Sequence, residues 1–247
     1  DGVYTTVNKD SGFVNIRTQG LDASNFEIRA KNDVYLELEE SFTLSGFIGG
    51  LSNFDSAKNV TIDVNGTLTV QGGLVSANKS TGTLDIDATS ISTDDSSVFI
   101  ASTLDVSTTG GMSLNTLVGS ITAESTSSGN IVINEADGVS LTSVIANNGK
   151  IDVTSGNTMQ AHLVRTIEDN SGNHITLKSG NDLQVDNVEA GFAKGSEKLN
   201  ATVTLDASGT ISELNHNDSG EQTEVDVFGR TVALKGTTAG TTVTINE

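Results

Sequence analysis

One short pattern governs this chain: an apolar–x–apolar triplet that returns every 20 to 29 residues. It reads Val14-Asn-Ile16, Leu36-Glu-Leu38, Ile62-Asp-Val64, Leu84-Asp-Ile86, Leu104-Asp-Val106 and Ile131-Val-Ile133. It continues as Ile151-Asp-Val153, Ile175-Thr-Leu177, Val203-Thr-Leu205 and Val232-Ala-Leu234. Alternation with period two puts one side of a short strand in a core and the other in solvent. A constant strand separated by connections of varying length is the signature of a solenoid. In "NIVINEADGVSLTSVIANNGKIDV" (Asn130–Val153) the phrase restarts at Ile151 with no proline between.

A second apolar burst follows about eight residues after the anchor, at Met112-Ser-Leu114, Val139-Ser-Leu141 and Leu183-Gln-Val185. Leu117, Val144 and Val188 follow three residues later, so these phrases superimpose without a gap; the Val203 phrase keeps only Ile211 and Leu214. The tails "STSSGN", "EDNSGNH", "AGFAKGSEKLN" and "NHNDSGEQ" differ in length and character. A two-burst phrase also fits a hairpin of an antiparallel sandwich or propeller. Asn-Gly and Asp-Gly turns are few, however, with Asn65-Gly66 and Asp137-Gly138 among them. Irregular spacing is also at odds with propeller blades of ~40 residues.

Stacked in parallel at ~4.8 Å, with the right-handed crossover rule, the anchors predict an all-β, right-handed, single-stranded parallel β-helix. About ten coils of 20–29 residues are expected, within one solenoid domain spanning 1–247. Phe26, Tyr35, Phe42, Phe47 and Phe54 make residues 1–58 a wider, aromatic end region or simply bulkier core layers. Since Leu36 stays in phase, bulkier layers are expected.

Composition supports sheet and removes several functions. The chain has no proline, which cannot donate to a β-ladder, and 32 threonines, which favour strands. Without cysteine it has neither disulfides nor a thiolate zinc site. A net charge of −19 repels nucleic acid and anionic lipid surfaces. No apolar run reaches the ~20 residues of a membrane helix. The sequence opens at Asp1 rather than a methionine and ends on "TTVTINE", which reads as a strand with no amphipathic cap pattern after it. We therefore expect a mature product or excised piece, whose ends continue or meet neighbouring segments or copies end to end.

With the phrases aligned, "ITLKSGNDLQVDNVEAG" (Ile175–Gly191), "VTLDASGTISELN" (Val203–Asn215) and "GNIVINEADGVSLTSVIANNGKIDV" resemble the degenerate repeats of filamentous-haemagglutinin-like exoproteins and very large bacterial surface adhesins. The resemblance covers the chain from Val14 onward. It implies a right-handed parallel β-helix, secretion to a cell surface, and a role in adhesion or as a stalk toward host-cell or matrix ligands. The amino-terminal secretion signature of two-partner exoproteins is not recognisable.

Chemistry would have to sit on outward positions. The middle residues of the triplets are Asn15, Glu37, Asp63, Asp85, Asp105, Val132, Asp152, Thr176, Thr204 and Ala233. Glu39, Asn65 and Asp87 occupy the next outward position. Stacked carboxylates repel one another. They form either a solvated acidic face that opposes aggregation or a ladder in which Asp63, Asp85, Asp87 and Asp105 bridge Ca²⁺. No glycine-rich calcium repeat or EF-hand loop accompanies them, so no cofactor is required.

Asp85 and Asp87 also form a carboxylate pair of the type used in glycoside hydrolysis, as on pectate-lyase-like β-helices. Basic residues are too sparse for an anionic polysaccharide, Trp is absent, and Tyr4 and Tyr35 both lie near the start. His162, His174 and His216 fall in different phrases. Thr61, Thr67, Thr69, Thr81 and Thr83 suggest an ice-binding face, but in sequence they do not recur at a fixed register. Asn130, Asn147 and Asn148 fit turns and stacked amide ladders. The expected function is a non-enzymatic, extracellular shaft. Any binding would reside in the tails around Glu189–Asn200 and Asn215–Arg230.

Overall fold

The computed structural model describes residues 5–8, 12–19, 24–50, 57–191, 200–214 and 227–236. Among them there is no helix, and every described strand pairing is parallel. The chain forms a β-solenoid in two compact units, 1–120 and 121–247.

The first unit holds β1 (Thr5–Asn8), β2 (Val14–Thr18), β3 (Ser24–Ala30), β4 (Asp33–Leu38) and β5 (Phe42–Gly49). It continues with β6 (Asn59–Val70), β7 (Leu74–Ser76), β8 (Thr83–Thr93) and β9 (Val98–Thr108); β10 (Met112–Ser125) contains the boundary. One face stacks Val14, Val34, Val60, Leu84 and Leu104 in register, beside Ile16, Leu36, Ile62, Ile86 and Val106. A second face stacks Phe42, Leu68, Ile91 and Met112. A third stacks Ile28, Ile48, Val75 and Phe99. The core is the space these columns enclose, and Phe99 is among its largest fully buried side chains.

The second unit repeats the scheme with β11 (Ile131–Glu135), β12 (Val139–Ala146), β13 (Ile151–Ser155), β14 (Met159–Thr166), β15 (Ile175–Ser179) and β16 (Leu183–Ala190). β17 (Val203–Ala207), β18 (Ile211–Glu213), β19 (Val227–Phe228) and β20 (Val232–Gly236) follow. Ile131, Ile151, Ile175, Val203 and Val232 stack in register. Val139, Met159, Leu183 and Ile211 make the second column, and Val144, Val164, Val188 and Val227 the third. Each buried Val, Leu or Ile contributes roughly 1.5–3 kcal/mol, and every turn adds several.

The structure has about seven turns rather than ten. The anchors at Val14 and Val232 do form strands, but no full set of described strands closes their turns, whereas β17, β18 and β19 close the turn that starts at Val203. Leu117 also departs from expectation. In β10 the alternation runs straight on, so Thr116 and Val118 are buried and Leu117 faces outward. In β12 and β16 the inward positions skip to Val144 and Val188.

Of the amino-terminal aromatics, Phe42 is core, whereas Tyr35 and Phe47 occupy outward positions half-covered by Arg17 and Arg29. Their places in the alternation decide this. Phe54 and the Phe26 side chain lie outside the description.

The corners are set by backbone approach. A Cβ on Gly156 would stand 2.3 Å from Ala136 O, and one on Gly180 would stand 2.3 Å from Gly156 O. Only glycine lets successive corners stack this closely.

Candidate functional site

The acidic residues of the first unit share one face but not the single ladder expected. Glu37, Asp63 and Asp87 form one column, headed by Arg17. Asp85 and Asp105 form the neighbouring column, above Thr61 and Tyr35. Register explains the difference. Ile62 pairs with Ile86, not Leu84, and sliding an alternating strand by two residues leaves every side chain on its original face. Apolar pattern alone is blind to that slip.

Electrostatics follow from the columns. Burial, then Asp87 and Glu37, push the Asp63 carboxyl above its usual value. Burial, then Asp87, Asp105 and Asp63, do the same to Asp85. At the head of the column Arg17 Nε lies 2.8 Å from Glu37 Oε2, and its guanidinium sits 5.5 Å from the Tyr35 ring centre. The Tyr35 hydroxyl donates to the same Glu37 oxygen at 3.1 Å, which raises its pKa. Among the described residues no group of three or more acidic or imidazole side chains converges to hold a metal ion.

The neighbouring face is neutral and hydroxylated. Thr43, Thr69, Ser92 and Ser113 stack in register, and Thr67 Oγ1 lies 2.9 Å from Ser90 Oγ. Fixed register, unseen in the sequence, therefore exists over these strands. Thr61 and Thr83 sit on the acidic face instead. In the second unit the outward column is Val132, Asp152, Thr176, Thr204 and Ala233, as expected. Lys150 Nζ meets Asp152 at 2.5 Å.

The two described histidines, His162 and His174, join no cluster of titratable side chains. His162 is half-buried on β14, and His216 lies outside the described residues. His174 Nδ1 accepts the Thr202 backbone N–H at 3.1 Å, so a neutral ring carries its proton on Nε2. The tails proposed for binding fall largely at residues 192–199 and 215–226, outside the description.

Sequence reasoning missed the polar groups that shape the corners. Asp94 accepts from Ser97 Oγ (2.5 Å), the Gly72 N–H (3.0 Å), and the backbone N–H and hydroxyl of Ser96 (3.1 and 2.9 Å). Those donors, Ser97 first, lower its pKa to about 2. Glu135, Ser155 and Ser179 stack in one buried corner column that ends on Ala207. The signal was available as the tripeptide Ser-Gly-Asn at 155–157 and again at 179–181. Of the three asparagines singled out, Asn148 alone joins an amide stack, while Asn130 and Asn147 bond to backbone one turn away. Asn130 Oδ1 accepts the Lys150 N–H, Asn147 Nδ2 donates to Ser127 O, and Asn148 Oδ1 accepts from Asn170 and Asn173.

Comparison with protein-family models, curated proteins and solved structures gives no match.

Proposed function

We propose that this chain is a structural shaft segment of a large extracellular bacterial surface or filament protein, of the filamentous-haemagglutinin-like kind. It serves adhesion or acts as a stalk, without catalysis. The observation that carries the reading is the in-register stacking of equivalent aliphatic residues, Ile131 on Ile151 on Ile175 on Val203 in the second unit. A turn of this type contacts its neighbours alone, so length is added without inventing a new core. Parallel backbone ladders tie each turn to the next, and outward carboxylates keep long assemblies soluble through like-charge repulsion. Partners in this reading are neighbouring solenoid segments or further copies, with host-cell or matrix ligands met at the variable tails.

Imaging and fibre diffraction of the native particle test it. The expected result is a continuous filament with a ~4.8 Å meridional repeat. Short isolated particles that cleave polysaccharide would overturn it.

A further inference from the structure

The sequence contains two Asn–Gly pairs, Asn65–Gly66 and Asn148–Gly149. Asparagine followed by glycine is chemically vulnerable because glycine leaves its own nitrogen unshielded. The two pairs sit in very different surroundings. Asn65 is exposed within β6, and no described hydrogen bond reaches its side chain. Asn148 lies half-buried in the turn between β12 and β13, where its Oδ1 accepts from Asn170 Nδ2 at 2.9 Å and Asn173 Nδ2 at 3.1 Å. The orientation of these amides is fixed by a third contact. Asn173 Nδ2 also donates to the carbonyl of Glu168 at 2.7 Å, so the atom it presents to Asn148 is a nitrogen and the atom it meets is an oxygen.

We infer that Asn148–Gly149 is a site of spontaneous covalent modification, activated by the asparagine ladder of the turn beside it. The Gly149 backbone nitrogen attacks Asn148 Cγ, forming an N–Cγ bond. The Cγ–Nδ2 bond breaks, and the carboxamide –NH2 takes up the Gly149 amide proton, relayed by solvent, and leaves as ammonia. Water then opens the cyclic imide to an aspartyl or isoaspartyl residue. The net change is asparagine plus water to acid plus ammonia, with no oxidation or reduction. Two donors aimed at Oδ1 stabilise the negative charge that gathers there as the nitrogen adds. Gly149 donates none of the described turn and loop hydrogen bonds, so its nitrogen is not held elsewhere.

Glycine cannot be exchanged at this place, because a Cβ would stand 2.0 Å from Gly129 O. The reactive pair is thus a consequence of how the turns stack. An aspartyl product would still accept both amides, now as charge-assisted bonds. An isoaspartyl product lengthens the backbone beside the Asn148 carbonyl, which accepts the Gly129 N–H at 2.8 Å, and would open the turn.

Incubating the full chain at neutral pH and mapping its peptides by mass tests the inference, with Asn65 as the internal reference. In the folded protein Asn148 should convert at least about fivefold faster than Asn65, the factor one ordinary hydrogen bond is worth. In concentrated urea the two rates should converge. Asn170→Ala, an exposed turn substitution, should slow Asn148 selectively while Asn65 and the unfolding midpoint stay unchanged. Equal folded rates, a faster Asn65, or an Asn148 rate indifferent to Asn170→Ala would overturn the inference.

Discussion

Asp169 and Asn200 lie 31 residues apart, yet the Asp169 carboxylate accepts the Asn200 backbone N–H at 2.7 Å and its side-chain amide at 3.2 Å. The Ala201 N–H reaches the same carboxylate at 3.2 Å. Gly191, at φ +82°, packs so closely that a Cβ would sit 2.7 Å from Asp169 Oδ1. One buried side chain therefore gathers Gly191 with Asn200 and Ala201. Asp169→Ala strands two backbone donors and should cost about 2 kcal/mol, read as a lower denaturant midpoint. Asp169→Asn keeps an acceptor but opposes its own amide to that of Asn200, and should fall between.

Two glycines of the second unit make a matched pair. Gly180→Ala forces a Cβ to within 2.3 Å of a backbone oxygen, and such overpacking typically costs about 1–3 kcal/mol. Gly172 has nothing within 4 Å of the position a Cβ would take. Gly172→Ala should be neutral or stabilising by up to about 1 kcal/mol through the unfolded chain. Parallel thermal melts distinguish the two, and equal effects would contradict the stacked corner.

The acidic face gives the protein an inverted pH response. Asp63 and Asp85 have raised folded pKa values, so the folded state holds more protons than the unfolded chain. Their contribution is fully present below the unfolded carboxyl value and is lost as pH rises through the folded one. Asp94 acts oppositely: its pKa of about 2 gives a contribution present above the unfolded value and lost as pH falls toward about 2. Melting temperature should therefore rise on acidification as pH falls through the raised carboxyl pKa values of Asp63 and Asp85 toward the unfolded carboxyl value, then fall in strong acid as Asp94 is protonated. Asp85→Asn should raise the neutral-pH midpoint and flatten the upper arm, with added salt having the same sense.

Much of this architecture was legible because alternation reports which side of a strand is buried. Ile131, Ile151, Ile175, Val203 and Val232 were aligned from sequence alone, and their backbone pairing follows that alignment. Between Asp63 and Asp85 the same signal failed, since Val60, Ile62 and Val64 offer three equivalent inward positions and a slip of two costs no burial. Beyond the slip, the irregularity between Val64 and Thr67 moves the pairing with β8 by one residue, so the inward positions of β8 pass from Ile86 to Ile91. The corner carboxylates Asp94 and Asp169 were illegible for another reason. Each has a partner one turn away, Gly72 for Asp94 beside its local Ser96 and Ser97, and Asn200 for Asp169, and sequence spacing alone does not pair groups across turns.

Within the second unit, stability should decline toward β20. Ile175 is 0% exposed between Ile151 and Val203, whereas Val232, in the same column, is 40% exposed. Truncation at Ile175 removes contacts to the turns before and after it, and cavities of this type cost about 2–5 kcal/mol. Val232→Ala should cost under about 1 kcal/mol, because an exposed side chain has little burial to lose. Hydrogen exchange reports the same gradient: in a solenoid each turn is held by its neighbours, so opening begins at the layer with fewest. Amides of β13 and β15 should exchange most slowly and those of β20 fastest. Ile175→Ala should accelerate β15 and β17 together, whereas Val232→Ala should leave β13 untouched. Uniform protection along the column would mean that β20 is covered as completely as the interior, and that the stack does not thin at this strand.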